Sequence, residues 1–295
     1  MTDDRQQQLF ELGPRTLAEP QLKPKQPLHP VWTRNKSTLV ARYLRYFTFI
    51  TKHGTYIDAM AGPQYHWAPE YWSARRVLEN EPAWLRHFYL FEKADKQLQR
   101  LQAMVEAQSR PRNHTITVIH GDSNEKLPAL LAQRPIRDKE ATFCLLDQRT
   151  FECAWSTVEA LARYKPAGTN KIELFYFLPN WWLARAIAGT TKNVDAIRAW
   201  WGRDDWQVLR GCGNHARSMM FVERFRREFG YASVRAWPIW DRRGGSRIMY
   251  YMIHATDHLE ASKLMARAYR MAVEPEETAE QLALLDWQNL PGEAT

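Results

Sequence analysis

The sequence predicts an α/β protein: an open, mostly parallel seven-stranded sheet, closed by a C-terminal antiparallel hairpin and carrying a helical insertion. Three observations predict it. Five short runs rich in apolar, β-branched and aromatic residues alternate with segments of helical period. Several of those runs end in a carboxylate, as strands that deliver polar groups to one sheet edge do. The last two β-rich runs are separated only by a glycine-containing turn, so they pair as a hairpin.

In order, residues 1–30 hold prolines at 14, 20, 24, 27 and 30, which obstruct both helix and sheet and predict an extended arm. From Trp32, Leu39, Tyr43, Tyr46, Phe47 and Ile50 recur at helical spacing, predicting a helix that stops near His53–Gly54, where Gly can terminate it. The strands follow at 55–59 (TYIDA), 87–92 (HFYLFE), 115–122 (TITVIHGD), 142–147 (TFCLLD) and 172–178 (IELFYFL). Leu98, Leu101 and Val105 share one face of the helix after the second strand. Roughly fifty residues at about 181–230 then exceed a plain loop and read as a helical insertion into the 31–295 domain. It holds Trp200, Trp201 and Trp206 among arginines. Residues 234–240 and 247–256 form the hairpin, and Asp257 with Glu260 spells a capping box for a last helix bearing Leu264, Ala268, Met271 and Ala272 on one stripe.

Composition narrows the function classes. The 295 residues are 45% hydrophobic and 25% charged, a globular balance. There is no apolar run of membrane-spanning length and no secretory pattern at the start, so a cytoplasmic protein without membrane partners is expected. Three cysteines, Cys144, Cys153 and Cys212, without a C-x-x-C pair argue against a disulfide framework or structural zinc. No H-E-x-x-H, G-x-S-x-G or P-loop occurs, so no metal site is expected and hydrolase and kinase readings lack support. A net charge of +8 favours polyanionic partners, DNA or RNA.

Five parallel strands plus a closing hairpin is the layout of the Rossmann-like class I methyltransferases, which use S-adenosylmethionine. In such sheets ligands sit outside the carboxyl ends of the strands. The acids there take candidate roles toward that cofactor: Asp58 faces its cation or amino group, and Glu92 accepts from the ribose hydroxyls. Asp122, with Ser123 behind it, accepts from an adenine amino group. Gly62 lets the first loop approach the ligand. Asp147 and Gln148, after the fourth strand, are the candidate catalytic pair that would hold an acceptor nitrogen. Plainer readings stand beside these: Asp122 with Glu125 also forms a helix cap, Glu92 also suits a solvated strand end, and Asp147 also suits an Asx turn. Lys36, Arg149, Arg242, Arg243 and Arg247 are candidate nucleic-acid contacts, with rim tryptophans available to stack on bases.

Four stretches carry a family resemblance: HPVWTRNK at 29–36, TYIDAMAGPQ at 55–64, FCLLDQRTFECAWSTVEAL at 143–161 and KIELFYFLPN at 171–180. The chain resembles the three-Cys-motif partner (TcmP) family from about His29 to its final helix, and the D-Q-R-T-F-E-C segment is the most specific part. The resemblance implies a class I methyltransferase-like fold and a genetic neighbour, a radical-SAM-like three-Cys-motif protein, as partner. Many members have A-G-P-G and D-P-x-G where this chain has Gln64 and Gln148. Two functions follow as expectations: a SAM-dependent methyltransferase acting on nucleic acid or nucleotide, or a non-catalytic nucleic-acid-binding adaptor working with that partner. A metal-dependent nuclease on the same scaffold is a third.

Overall fold

A computed structural model describes residues 31–63, 68–108, 113–180, 183–189, 194–240 and 247–273. The prolines of the expected arm, Gln64, Trp181, Trp182 and the hairpin turn with Arg242 and Arg243 lie outside the described residues.

Seven strands, β1 (Thr55–Asp58), β2 (His87–Glu92), β3 (Thr115–His120), β4 (Thr142–Leu146), β5 (Glu173–Pro179), β6 (Ser233–Trp240) and β7 (Ile248–Thr256), form one sheet. Their order is β3-β2-β1-β4-β5-β7-β6. The first five are parallel, and β7 runs antiparallel to both β5 and β6. This is the predicted class, and the strand bounds fall within two residues of those expected. The chain order reverses between β1 and β4, and a ligand crevice belongs at that point of an open α/β sheet.

Alternation along the strands builds two apolar layers. Ile57, Phe91, Cys144, Leu146, Leu174 and Tyr176 face one side, under helices α4 (Ser123–Ala132), α5 (Trp155–Ala162), α7 (Val194–Trp201) and α8 (Asn214–Phe229). Tyr56, Phe88, Leu90, Phe143, Phe175 and Phe177 face the other, under α1 (Val31–Thr51), α2 (Ser73–Leu78), α3 (Asp95–Glu106) and α9 (Ala261–Val273). One further short helix, α6 (Leu183–Gly189), precedes α7. The β4 and β5 runs are buried on both faces, which is why they read as continuous apolar stretches. No described helix is long and apolar enough to cross a membrane.

Several local expectations are corrected. Helix α1 ends at Thr51, just before His53–Gly54, and it is Lys52 and not the glycine that turns left-handed, at φ 58°, while its N–H still reaches the Thr48 carbonyl. Ile50, expected in the core, is 45% exposed near that end. The Asp257–Glu260 capping box does not form: the Asp257 carboxylate accepts from the Lys171 and Ala232 main-chain N–H groups, tying the start of β5 to that of β6. Trp200, Trp201 and Trp206 are buried in the core with Phe221, so they offer no ring to a base. Hydrophobic burial outweighs the arginines interspersed among them.

Candidate active site

The carboxyl ends of β1, β2, β3 and β4 open onto one cleft, which encloses about 1070 Å³ of empty space with its open mouth included. Asp58, Gly62, Glu92, Asp122, Ser123, Asp147 and Arg149 all line it, so seven of the twelve sequence-derived candidates meet at one place.

Asp58 ends β1 and is 1% exposed. Its two oxygens accept from the Tyr56 hydroxyl (2.9 Å) and the Met60 N–H (3.1 Å). Burial pushes its carboxyl up from 3.8 to about 7, the two hydrogen bonds pull the other way, and the negative charges of Asp147 and Glu92 push it further up. A cation arriving in the cleft reverses that balance, because it favours the charged form.

Glu92 ends β2 and is half-buried. It accepts from the Gly62 N–H (3.0 Å) and the Ala94 N–H (2.9 Å). Each oxygen keeps a second lone pair, enough to accept from a vicinal diol. The need for glycine at 62 is now explicit: a Cβ there would sit 2.1 Å from Glu92 Oε2 and 2.7 Å from the Gln97 Cβ. The first loop is thus drawn down onto the second strand end.

Asp122 serves both of its readings. It caps α4, its Oδ1 accepting from the Asn124 N–H (2.9 Å), and it lines the cleft with Oδ2 4.0 Å from the Lys93 ammonium. Ser123, the first residue of α4, is buried against the same wall.

The catalytic pair does not survive as a pair. Asp147 reaches the cleft, but Gln148 is fully buried and its Oε1 accepts from the Cys153 N–H (3.2 Å). Both residues lie beyond the last strand residue, Leu146, and there the Gln148 side chain turns inward onto the loop that follows. Asn180, after β5, likewise turns away, its side-chain amide donating to the Ile248 carbonyl.

Lys36 is the second correction. It is 2% exposed and pairs with Asp147 Oδ1, its ammonium 4.1 Å from the Tyr250 ring centroid and 4.8 Å from that of Phe177. Its ammonium is buried against that partner and is not presented to solvent; it pins the Asp147 carboxylate. The signal in the sequence was basic charge, and charge alone does not tell a surface cation from one buried against a partner 111 residues away. Arg247 is exposed at the start of β7 and is not among the residues lining the cleft.

Several wall residues had no sequence signal of their own. Tyr71 and Trp72 line the cleft, Trp72 Nε1 donating to the Ala61 carbonyl (2.5 Å). Gln97 stands beside Glu92, and Glu152 accepts from the Arg149 N–H (2.7 Å). Asn124 locks the loop behind Asp147: its amide donates to the Glu152 carbonyl, and its oxygen accepts from the Ala154 N–H and the Thr157 hydroxyl. The Pro-Glu-Tyr-Trp run at 69–72 was the one available hint, an aromatic pair shortly after the first loop.

The sequence matches no protein-family model and no curated protein. Similar folds occur among solved structures at low identity. The methyltransferase domain of bacterial CtHen1 is 11% identical, with 76% of this chain and 99% of that one covered and a TM-score of 0.42. Trm1 from Pyrococcus horikoshii, in complex with S-adenosyl-L-methionine, is 12% identical, with 82% and 58% covered and a TM-score of 0.47. TYW2 from Pyrococcus horikoshii, in complex with MeSAdo, is 10% identical, with 78% and 62% covered and a TM-score of 0.34. Each is a likeness, and none assigns a ligand or a role to the residues described above.

Proposed function

We propose that the protein is a methyltransferase that binds S-adenosylmethionine in this cleft and methylates nucleic acid or a nucleotide. One observation carries the reading: carboxylates from four neighbouring strands converge on a single cleft at the switch point of the sheet. The set of acceptors suits the cofactor. Glu92 accepts from the ribose hydroxyls, Asp122 from the adenine amino group, and Asp58 from the cationic amino-acid end. The cofactor supplies an electrophilic methyl group on a sulfonium; the chain's part is binding and orientation. Asp147, fixed by Lys36, offers its remaining oxygen to an N–H of the acceptor and so turns the nitrogen lone pair toward the cleft. Arg149, exposed at the cleft wall, meets an acceptor phosphate.

The test uses cofactor labelled on the methyl group and total RNA or DNA as acceptor. Label should appear on the acceptor, and Asp147→Ala should abolish the label while leaving cofactor binding intact. Label transfer undiminished in Asp147→Ala would remove Asp147 from the reaction.

A second reading is favoured by the burial of Gln148, which leaves Asp147 without the neighbouring amide expected to help hold an acceptor. In it the protein is an adaptor that presents nucleic acid to a three-Cys-motif radical-SAM-like protein, the partner that the family resemblance implies. Nucleic-acid binding without label transfer, together with co-elution of the two purified proteins, separates this reading from the first.

A further inference from the structure

The opposite edge of the sheet, where β1, β2 and β4 begin, carries a different chemistry. His53, Arg86, His87, Arg137 and Lys139 line one depression there, with Glu140 as its single acid. The Glu140 carboxylate is already engaged, accepting from the Thr55 hydroxyl at 2.5 Å. Among the described residues Arg86, Arg137 and Lys139 form no ion pair, and all three are exposed. Asp138, between two of them, is taken by Arg134. Elsewhere several arginines pair with a carboxylate three or four residues away, as Arg75, Arg163 and Arg227 do.

The patch continues across the end of α1. Lys52, held in its left-handed turn, lies 4.3 Å over the Trp84 ring. Phe49 packs edge-on against Trp84, with centroids 5.3 Å apart and planes at 86°, yet remains 44% exposed. Arg45, also without an ion pair among the described residues, extends the charge past Phe49. A solvated charged face needs no exposed aromatic ring, and an apolar contact needs no row of unmatched cations. Both together fit a ligand with regularly spaced anions and flat apolar groups between them.

We infer that this edge is a docking surface for single-stranded nucleic acid, with Arg86, Arg137, Lys139 and Lys52 on successive phosphates and Phe49 stacking on an unpaired base. A duplex fits less well, because its base faces are hidden inside the helix. The surface lies at the other end of the strands from the cofactor cleft, so it needs none of the cleft's chemistry. It extends the nucleic-acid part of the proposed function without depending on methyl transfer.

The experiment is fluorescence anisotropy of a labelled oligouridine on the full chain across a salt series. Binding should weaken steeply with salt, because each phosphate contact contributes about 0.7 to the log–log slope on a single strand. Arg86→Ser/Arg137→Ser/Lys139→Ser should lower that slope by about 2. Phe49→Ala should weaken binding roughly fivefold to a hundredfold with the slope unchanged, the signature of lost stacking. All four side chains are exposed, so unchanged thermal unfolding should accompany both variants. Wild-type affinity and slope in the triple variant would overturn the proposal. So would tight binding to anionic lipid vesicles with none to oligouridine. A thermal shift with S-adenosylhomocysteine on the same variants reads the cleft separately, so failure of the cofactor reading is distinguishable from failure of this one.

Discussion

Two buried carboxylates stand at opposite ends of the strands, and they are held differently. Glu173 begins β5 and is 5% exposed; its oxygens accept from the Tyr43 hydroxyl, His254 Nε2 (2.7 Å) and the Thr256 hydroxyl (3.0 Å). Asp58 ends β1, is at least as buried, and among the described residues accepts from one side chain and one main-chain N–H. Three side-chain donors make Glu173 a finished structural joint linking α1, β5 and β7. Asp58 is under-supplied, faces an open cleft, and has its proton affinity raised by burial. A carboxylate that the fold leaves short of donors, at the edge where ligands bind, is one that a ligand completes.

The largest expected effect lies on the Glu173 side. Glu173→Ala strands buried donors on Tyr43, His254 and Thr256, which should cost about 4–5 kcal/mol and about 10 °C in Tm by calorimetry. Cofactor binding by the folded fraction should be unchanged; a loss of affinity as large as the loss of stability would erase the contrast between the two sites.

On the Asp58 side the effect depends on pH. The folded-state value of about 7 lies above the ordinary 3.8, so between those values the folded protein keeps a proton that the unfolded chain has released. The associated stability is present in full below about pH 4 and is lost as pH rises to about 7, a change of up to about 4 kcal/mol. Asp58→Asn should flatten that part of the urea-melt profile and weaken cofactor binding. An identical pH profile in the variant would show that Asp58 ionises like a surface acid.

Lys36→Met tests the pin beneath the cleft. It leaves Asp147 half of its ion pair and should cost about 3 kcal/mol. Methyl transfer should fall further than cofactor affinity, since Asp147 serves the acceptor. Equal falls in both would place Asp147 on the cofactor instead.

The smallest stability effect belongs to Gly62→Ala. The added Cβ meets Glu92 Oε2, the movable end of a side chain, but also the Gln97 Cβ, which moves only with its helix, so about 2 kcal/mol is expected. Cofactor affinity should drop about tenfold because Glu92 is displaced from the ribose position. Unchanged affinity would detach Glu92 from the ligand.

The same contrast explains what the sequence disclosed. The succession of strands and the four acidic strand ends were legible because apolar runs and terminal carboxylates are local features. Asp58, Glu92, Asp122 and Asp147 could be placed on one edge without coordinates. The fates of Lys36 and Gln148 were not legible. Each depends on which way one side chain turns: Gln148 inward to a loop N–H five residues on, Lys36 to a partner 111 residues away. The Glu173 joint was equally hidden, because Tyr43, Glu173, His254 and Thr256 are neighbours only after β5 and β7 pair. The basic and aromatic edge went unread because its members come from three separate segments with no common motif.

The most direct test of the central claim, that the strand-end carboxylates form a nucleoside-cofactor site, is thermal unfolding with and without S-adenosylhomocysteine, in the wild type and in Glu92→Ala. A ligand at a hundredfold its Kd stabilises by about 2.7 kcal/mol, or about 5–10 °C here. The wild type should show that rise, and Glu92→Ala should lose most of it at the same ligand concentration. No rise in the wild type at millimolar ligand, or an equal rise in Glu92→Ala, would contradict the account.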